Sequence, residues 1–401
     1  MGETAIQKPF STPFLKDLVV VAGLLPFKDQ EIQELDQELA QYEQFFLNPD
    51  VEKFLISRNE LLTSFAISKA EVSTLTLQEA QEVYDFVVSN KEYDFVGQKL
   101  KSGKKLTQKD HDKLEFFNIA TAFRSLNAQQ FKIEDLTPDY ILSLHKQLTQ
   151  GLDIFKDHLP EFEVYKAGCW RDNDLIRVGT YIPAPFKLIE KGVVELIRYV
   201  KKNPTITAIA IFHTALYALH PFNNGNKRVC RILEHLLLRS IGLNQKNLYS
   251  TSYYYHKGKP RYYKYLLYSL ERKNLNHFVA FIQEALVLSI ISVVQTSLQA
   301  KRNDFLQRQK EEIRTIFKPL IKRRQLQFKH LYNNVKRKMA RQTFVNYLDQ
   351  AGKLHLVNKR EEGRAMYYSL NLEEPEQKTL THWIEFAKSR LSYIPDEVLL
   401  V

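Results

Sequence analysis

One short string of this 401-residue sequence brings together a histidine, a glycine turn flanked by asparagines, and three cations. It reads H-P-F-N-N-G-N-K-R from His220 to Arg228 and continues V-C-R to Arg231. The apolar stretch before the string and the turn residues inside it predict that one helix ends near His220 and another begins near Asn226. The exposed N–H groups at the start of the second helix would hold an anion beside the histidine. A base next to a positively framed anion hole suits phosphoryl or nucleotidyl transfer to a hydroxyl.

A surface histidine between two ordinary helices is the simpler interpretation of a lone histidine, but the density of the string argues against it. The string resembles the signature H-x-F-x-D/E-G-N-G-R-x-x-R of the Fic (fido) family. Six positions match it, namely His220, Phe222, Gly225, Asn226, Arg228 and Arg231. The resemblance extends to His213 in the preceding helix, to the segment with Gly168, Arg171 and Gly179, and to a regulatory-helix-like stretch, Thr63–Ala80.

The resemblance implies an enzyme with ATP as its substrate. Fic proteins usually transfer AMP from ATP to a Ser, Thr or Tyr hydroxyl of a protein, so a protein target with such a side chain is implied as the partner. In that scheme His220 deprotonates the hydroxyl, and Phe222 anchors the loop. Thr180, Tyr181 and Ile182 would form the flap that holds the target. The nucleotide would be bound by Gly225, Asn226, Lys227, Arg228, Val229, Cys230, Arg231, Tyr262 and Tyr263.

Three departures from the family pattern bear on activity. Asn224 stands where the family has a carboxylate for Mg²⁺, and because a neutral amide is a weaker ligand we expect weak metal binding. Lys227 replaces a glycine and should fill part of the anion hole. The Doc branch also reads N-K-R here, and its members phosphorylate their target with ATP. The regulatory stretch has Ile67 where autoinhibited members have glutamate, and Glu71 lies too far along.

Helices must position this string. The apolar spacing predicts helices on both sides of it, at Ala208–Ala218 and Lys227–Ile241. A loop with a hairpin-like piece is predicted for Tyr165–Pro185, and a polar break for Lys99–Lys105. Further helices are predicted at Gln30–Phe46, Thr76–Val88, Asp112–Leu126, Thr137–Thr149, Leu188–Lys201, Arg261–Ser269 and Asn276–Leu298. The fold class is therefore mainly α, and the resemblance implies the Fic helical fold with a small β-hairpin flap.

Composition excludes several common kinds of binding site and structural framework. The spacing of the thirteen glycines excludes both a Rossmann fingerprint and a P-loop. Two cysteines, Cys169 and Cys230, form neither a disulfide framework nor a C-x-x-C metal site. The longest uncharged apolar run, near Ala285–Val294, is too short to span a bilayer. We expect a cytoplasmic protein that does not engage a membrane, and the sequence leaves its oligomeric state open, a homodimer included.

Positive charge is concentrated near the C-terminus. The net charge of the chain is +11, and residues 301–341 contain fourteen Lys or Arg against three Asp or Glu. Short helices at Phe328–Val335 and Ala340–Ala351, followed by two apolar runs around the charged segment Lys359–Arg364, are in the order of a winged helix-turn-helix. We expect this module to bind duplex DNA, with Lys336, Arg337 and Lys338 on phosphates and Arg341, Gln342 and Thr343 at base edges. The alternative is a domain that packs on the rest of the chain or binds a protein.

These patterns divide the chain into five parts. They are an N-terminal helical region (1–110), the Fic core (111–298), a basic helical connector (299–326), a winged helix-turn-helix (327–370) and a C-terminal helix (371–401). Three functions remain open: transfer of AMP to a protein hydroxyl, Doc-like phosphorylation by ATP, and a catalytically weak Fic scaffold that regulates through DNA. The intact Gly225, Asn226, Arg228 and Arg231 favour an enzyme.

Overall fold

Helices form most of the chain in the computed structural model, which describes residues 5–70, 73–90, 93–160, 162 and 164–394. In the described residues the α-helices are α1 (Asp29–Phe46), α2 (Pro49–Ser68), α3 (Leu77–Val88), α4 (Phe95–Lys101), α5 (Gln108–Ala128), α6 (Pro138–Thr149), α7 (Ile189–Lys202), α8 (Ile206–Leu219), α9 (Asn226–Ser240), α10 (Thr251–Lys257), α11 (Lys259–Glu271), α12 (Asn276–Gln307), α13 (Glu311–Phe317), α14 (Phe328–Val335), α15 (Arg341–Lys353) and α16 (Gln377–Arg390). Three strands, β1 (Leu326–Gln327), β2 (Val357–Glu362) and β3 (Ala365–Leu370), form one antiparallel sheet in the order β1-β3-β2. The mainly helical fold class is confirmed.

The predicted break at Lys99–Lys105 is wrong over its first three residues, which belong to α4. Asp94 caps this helix, since its side chain accepts a hydrogen bond from the N–H of Gly97 at 3.1 Å. Lys99 is fixed by an ion pair with Asp110, with 2.7 Å between ammonium nitrogen and carboxylate oxygen. The helix ends at Lys101, and Gly103, with a φ of +69°, follows the C-cap residue Ser102.

Contacts divide the described chain into two compact units. The first contains the residues up to 36 together with 53–289, and the second contains 37–52 together with 290–401. Helix α12 runs without interruption past residue 299, where the sequence suggested the start of a connector.

Among the described residues, α12 is also long and apolar enough to cross a membrane. Protein buries 83% of its most apolar window, as in the core helix of many proteins.

Helix α8 is the centre of the first unit. Every residue of α8 except Thr207 is buried, and the helix packs between α7 and α9. Its N-terminus is capped by Thr205, whose hydroxyl accepts from the N–H of Ala208 at 3.2 Å. Because α8 is apolar on all sides, it forms a rigid support that ends directly at His220.

The second unit has its own core. Phe344 and Leu348 of α15 pack with Leu331 of α14 and with Val357 and Tyr368 of the sheet. The order helix, turn, helix and hairpin is the one that the sequence suggested, with β1 as an added short strand. Helix α16 is fixed in this unit by Trp383, whose ring N–H donates to the carboxylate of Glu38 at 2.5 Å.

Candidate active site

His220 occupies a backbone conformation that is rare for its residue type. It follows the last residue of α8 with φ +49° and ψ +62°, in the left-handed region. Its N–H donates to the carbonyls of Leu216 and Tyr217 at 3.2 and 3.1 Å, and its ring packs edge-on against Tyr217. This conformation ends α8 abruptly and places the imidazole at the start of the turn. A strained residue of this kind costs about 1–3 kcal/mol and persists only where its surroundings enforce it.

Arg171 stabilises the left-handed backbone conformation of His220. Its guanidinium is buried and donates to the carbonyl of His220 at 2.7 Å, to that of Leu219 at 3.3 Å and to that of Ala184. Its own N–H donates to the carbonyl of Pro221 at 2.8 Å. One side chain therefore satisfies the carbonyl groups that the abrupt end of α8 leaves without helical partners.

The turn after His220 is closed by its own residues. The side-chain amide of Asn226 accepts from the N–H of Phe222 at 3.0 Å and donates to the carbonyl of Phe222 at 2.8 Å. Phe222 is fully buried and lies between the rings of His145 and Trp170. Gly225 has φ +84°, and a Cβ there would lie 3.3 Å from the His145 ring, so glycine is required.

His145 of α6 clamps this turn from below, a role that the sequence did not suggest. Its Nδ1 accepts from the N–H of Gly168 at 3.1 Å, so the ring is neutral and its Nε2 donates to the carbonyl of Asn224 at 3.0 Å. Burial, helped by the nearby charge of Arg228, lowers the pKa of His145 to about 4, against the opposing effect of the Asn224 carbonyl. The turn therefore depends on an imidazole that stays uncharged.

A cavity of about 260 Å³ opens between this turn and the segment before the predicted flap. The first N–H groups of α9 lie along it, and Gly225 offers them no capping side chain. Such N–H groups, together with the helix dipole, favour an anion. The lining residues are Leu175, Ile176, Arg177, Val178, Tyr217, His220, Asn223, Asn224, Gly225, Asn226 and Lys227. Imidazole and anion cradle thus share one small polar space.

Arg228 lies behind the cavity and does not line it. Its fully buried guanidinium forms an ion pair with Glu115 of α5, with 3.0 Å between nitrogen and oxygen. It also donates to the side-chain oxygen of Asn224 at 3.1 Å. We expected Arg228 to pair with phosphate oxygens, whereas in this conformation it holds the turn.

The surroundings of Asn224 do not fit a magnesium ion. Its side-chain oxygen accepts from Gly225 N–H at 2.7 Å and from the Arg228 guanidinium, a cation that would repel a second cation. Among the described residues there is no cluster of three or more His, Cys, Asp or Glu able to hold a metal. The nearby carboxylate of Glu115 is already paired with Arg228.

Arg231 is also held inside the protein. Its guanidinium donates to the carbonyl of Ala66 in α2 at 3.1 Å and lies over the rings of Tyr262 and Tyr255, 4.5 and 5.3 Å from their centres. Tyr255 in turn donates to Glu234, which is bonded to His213 at 2.5 Å. We expected Tyr262 to close over adenine, but in this conformation it is fully buried beneath Arg231.

Carbonyl groups at the C-terminal end of α2 accept hydrogen bonds from two further cations of the site, Lys227 and Lys259. Lys227 directs its ammonium toward the carbonyl of Ala70 at 3.4 Å and over the ring of Tyr263 at 5.0 Å. Lys259 donates to the carbonyl of Lys69 at 2.8 Å. Lys227 therefore lines the cavity while its charge is directed to α2, and not into the anion hole as we expected. Glu71 lies outside the described residues.

The predicted flap is a tight turn, and its three residues do not all face a target as we expected. Val178 and Tyr181 exchange both backbone hydrogen bonds, at 3.0 and 3.1 Å. Tyr181 points inward, and its hydroxyl donates to the carbonyl of Ala218 at 3.0 Å. Thr180 bonds Glu271, and Ile182 is 61% exposed. Tyr181 thus anchors the flap, while Ile182 is free to contact a target.

Several predicted site residues do not lie at the cavity. Val229 and Cys230 are buried in α9, and burial raises the pKa of the Cys230 thiol well above its usual range. The candidate DNA residues Lys336, Arg337, Lys338, Arg341, Gln342 and Thr343 belong to the second unit, where all six are exposed. Sequence reasoning missed His145, Glu115 and Arg177. The signal for His145 was a histidine among the apolar positions Ile141, Leu144 and Leu148.

Known proteins match this chain around the site. The model of the Fic/DOC family matches residues 135–238. A probable protein adenylyltransferase of Aquifex aeolicus (strain VF5) is 26% identical over 136 residues. That match covers 32% of this chain and 39% of the relative, so less than half of the relative's length is represented here.

Two solved structures resemble the fold. A Fic family protein from Desulfovibrio desulfuricans G20 gives a TM-score of 0.51 at 18% identity, covering 92% of this chain and 99% of that one. Fic-1 from C. elegans gives a TM-score of 0.49 at 18% identity, covering 69% and 73%. The first shows that the fold is shared, and the family model places the motif turn within the matched range. Residues 135–238 of this chain therefore match the Fic/DOC family, and the matched range contains the whole motif from His220 to Arg231.

Proposed function

We propose that this protein transfers AMP from ATP to a hydroxyl side chain of a protein, with His220 as the general base. The observation that carries the proposal is the shared cavity, which is lined both by His220 and by the first residues of α9, whose N-terminus has no side-chain cap. A base and a preorganised anion cradle at one site are what such a transfer requires. The name of the Aquifex relative, a probable protein adenylyltransferase, supports the same reaction.

In the proposed step the target hydroxyl oxygen attacks the α-phosphorus of ATP and gives its proton to His220. The bond from the α-phosphorus to the bridging oxygen of the β-phosphate breaks, and diphosphate leaves. The N–H groups at the start of α9 stabilise the negative charge on the phosphate oxygens. The exposed side chain of Ile182 offers a contact for the target segment.

ATP can be bound by Arg231 and Lys227 only if both side chains leave their present partners and contact the phosphates. Both cations contact carbonyl groups at the end of α2. Because hydrogen bonds from a cation to phosphate are stronger than those to a neutral carbonyl, the triphosphate can compete for them. Tyr262, buried beneath Arg231, becomes accessible to adenine only after that exchange.

Phosphate transfer to the target is the second candidate reaction. Lys227 favours it, because Asn226-Lys227-Arg228 matches the N-K-R of the Doc branch and because a lysine at the cavity alters how a triphosphate can lie. In that case the γ-phosphate goes to the hydroxyl and ADP leaves. The two reactions deposit different groups on the same protein.

Replacing His220 by alanine tests the base. Loss of a general base costs roughly 10²–10⁴ in rate, so we expect His220→Ala to abolish detectable transfer of label from α-labelled ATP. Thermal unfolding and nucleotide affinity should change little. The exposed histidine of the same unit, His158, provides the control, and His158→Ala should retain full activity. Equal rates for wild type and His220→Ala would refute the assignment.

The two unusual motif positions are tested together. Lys227→Gly combined with Asn224→Asp reopens the cradle and supplies a carboxylate, so we expect stronger Mg²⁺-dependent AMP transfer than in the wild type. Lys259→Gly is the matched control, because Lys259 also donates to the end of α2 but does not line the cavity. A faster wild type, or an equal gain in the control, would show that these positions do not limit transfer.

The neutral state of His145 predicts a pH dependence of stability. Its pKa is about 4 in the folded protein and about 6.5 in an unfolded chain, so below pH 6.5 the unfolded state binds more protons. We expect its contribution to be complete above pH 6.5 and to fall as pH drops toward 4, by up to roughly 3 kcal/mol. Urea unfolding above pH 6.5 and near pH 4 measures this change in the free energy of unfolding.

His145→Gln is the comparison for that measurement. Glutamine does not titrate, so the difference in unfolding free energy between wild type and variant should shrink as pH falls from 7 to 4.5. This difference removes the contribution of His235, whose pKa burial also lowers. A difference independent of pH would show that His145 is not held neutral in the folded state.

We propose further that the second unit binds duplex DNA, which is also the basis of the regulatory candidate function. Lys336, Arg337 and Lys338 form an exposed basic turn before α15. Each phosphate contact contributes a salt slope of roughly −0.9, so replacing all three by alanine should reduce the slope by up to about 3. The full chain is needed, because the second unit includes residues 37–52.

A mobility-shift titration at several salt concentrations measures that slope. The triple variant of α16, with Lys378, Lys388 and Arg390 replaced by alanine, removes equal charge elsewhere and should bind almost like the wild type. If no duplex shifts at low salt, the basic module serves a protein partner or the packing of the chain.

A further inference from the structure

The sheet of the second unit has one face that does not pack on its helices. Side chains alternate along a strand, so the paired residues Asn358–Ser369 and Arg360–Tyr367 share one face of β2 and β3. The other face carries Val357, Tyr368 and Leu370, which belong to the core. The first face is therefore the outer one, and its side chains are polar, basic and aromatic.

A cavity of about 390 Å³ lies on this outer face. It is bounded by Arg324 and Gln325 of the segment before β1 and by the strand residues Asn358, Arg360, Tyr367, Tyr368 and Ser369. A second cavity of about 140 Å³ shares Arg324, Asn358 and Ser369 with it and reaches Arg302 and Glu374. The combined space is in the size range of small-molecule sites.

The charged residues that line the larger cavity are both arginines. Arg324 is exposed and makes no hydrogen bond or ion pair within the described part of the chain. Arg360 pairs with Glu362 at 2.8 Å, but both side chains are more than half exposed, so that pair is weak. The carboxylate of Glu374 is taken up by Arg302, at 2.5 and 2.9 Å. The cavity is therefore net positive.

Tyr367 adds a flat ring to this basic cavity. Its hydroxyl accepts from the side-chain amide of Gln327 at 2.9 Å, which fixes the ring on the sheet. Two guanidinium groups match the oxygens of a phosphate ester, and an aromatic ring is a stacking platform for a base. A bounded cavity of this size suits a single nucleotide better than a polymer.

We propose that this cavity binds a nucleoside phosphate, with the phosphates on Arg324 and Arg360 and the base on the ring of Tyr367. This site is separate from the one at His220 and does not depend on the proposed transfer reaction. The second unit would then sense a nucleotide in the same module that carries the basic turn of α14 and α15.

Photolabelling of the full chain with 8-azido-ADP tests the proposal, because peptide mapping separates the two sites. We expect label on the tryptic peptide 365–378, which contains Tyr367. In Arg324→Ala with Arg360→Ala that label should fall by roughly tenfold per arginine, while label on peptides of the Fic domain is unchanged. Arg323→Ala, which alters the neighbouring exposed arginine, is the matched control and should label normally.

Competition identifies the part of the ligand that is recognised. Unlabelled ADP should displace the label from the 365–378 peptide far better than diphosphate or adenosine alone. Equal displacement by diphosphate would overturn the role of Tyr367 and leave an anion site. Absence of label on this peptide, or label that persists in the double variant, would refute the nucleotide site itself.

Discussion

The bonds from Arg171 to the carbonyl groups at the end of α8 are the interaction on which the site depends. They hold His220 in a left-handed conformation, so that an apolar helix, buried except at Thr207, stops at the residue that we propose as the base. The turn that follows is then closed by Asn226 and Phe222 and clamped by a neutral His145. Each of these contacts restrains the turn between His220 and Asn226. The anion cradle is therefore held at a fixed position relative to the imidazole.

The cations of the motif serve two purposes in this fold. Arg228 stabilises the turn through its buried pair with Glu115, a pair that would be costly to break because it would leave a charge unpaired. Arg231 and Lys227 instead contact neutral carbonyl groups at the end of α2, which are weaker partners. We propose that these two cations are the ones that a triphosphate recruits, in which case the end of α2 controls access to the site.

The fold and the motif were largely predictable from the sequence, because helix periodicity and a dense local string are local signals. The helices around His220, the turn at Gly225 and the hairpin at Val178–Tyr181 are all where the pattern placed them. The partners of the motif were not predictable, since Glu115, His145 and the end of α2 reach it only through tertiary packing. For the same reason the burial of Arg228 and Tyr262 could not be foreseen from their positions in the chain.

The intact mass of the purified protein after incubation with ATP and Mg²⁺ tests the central claim most directly. We predict a gain of one AMP group in the wild type, through modification of the protein's own hydroxyl side chains, and no gain in His220→Ala. A gain of a phosphate group in place of AMP, or an AMP gain that persists in His220→Ala, would contradict it.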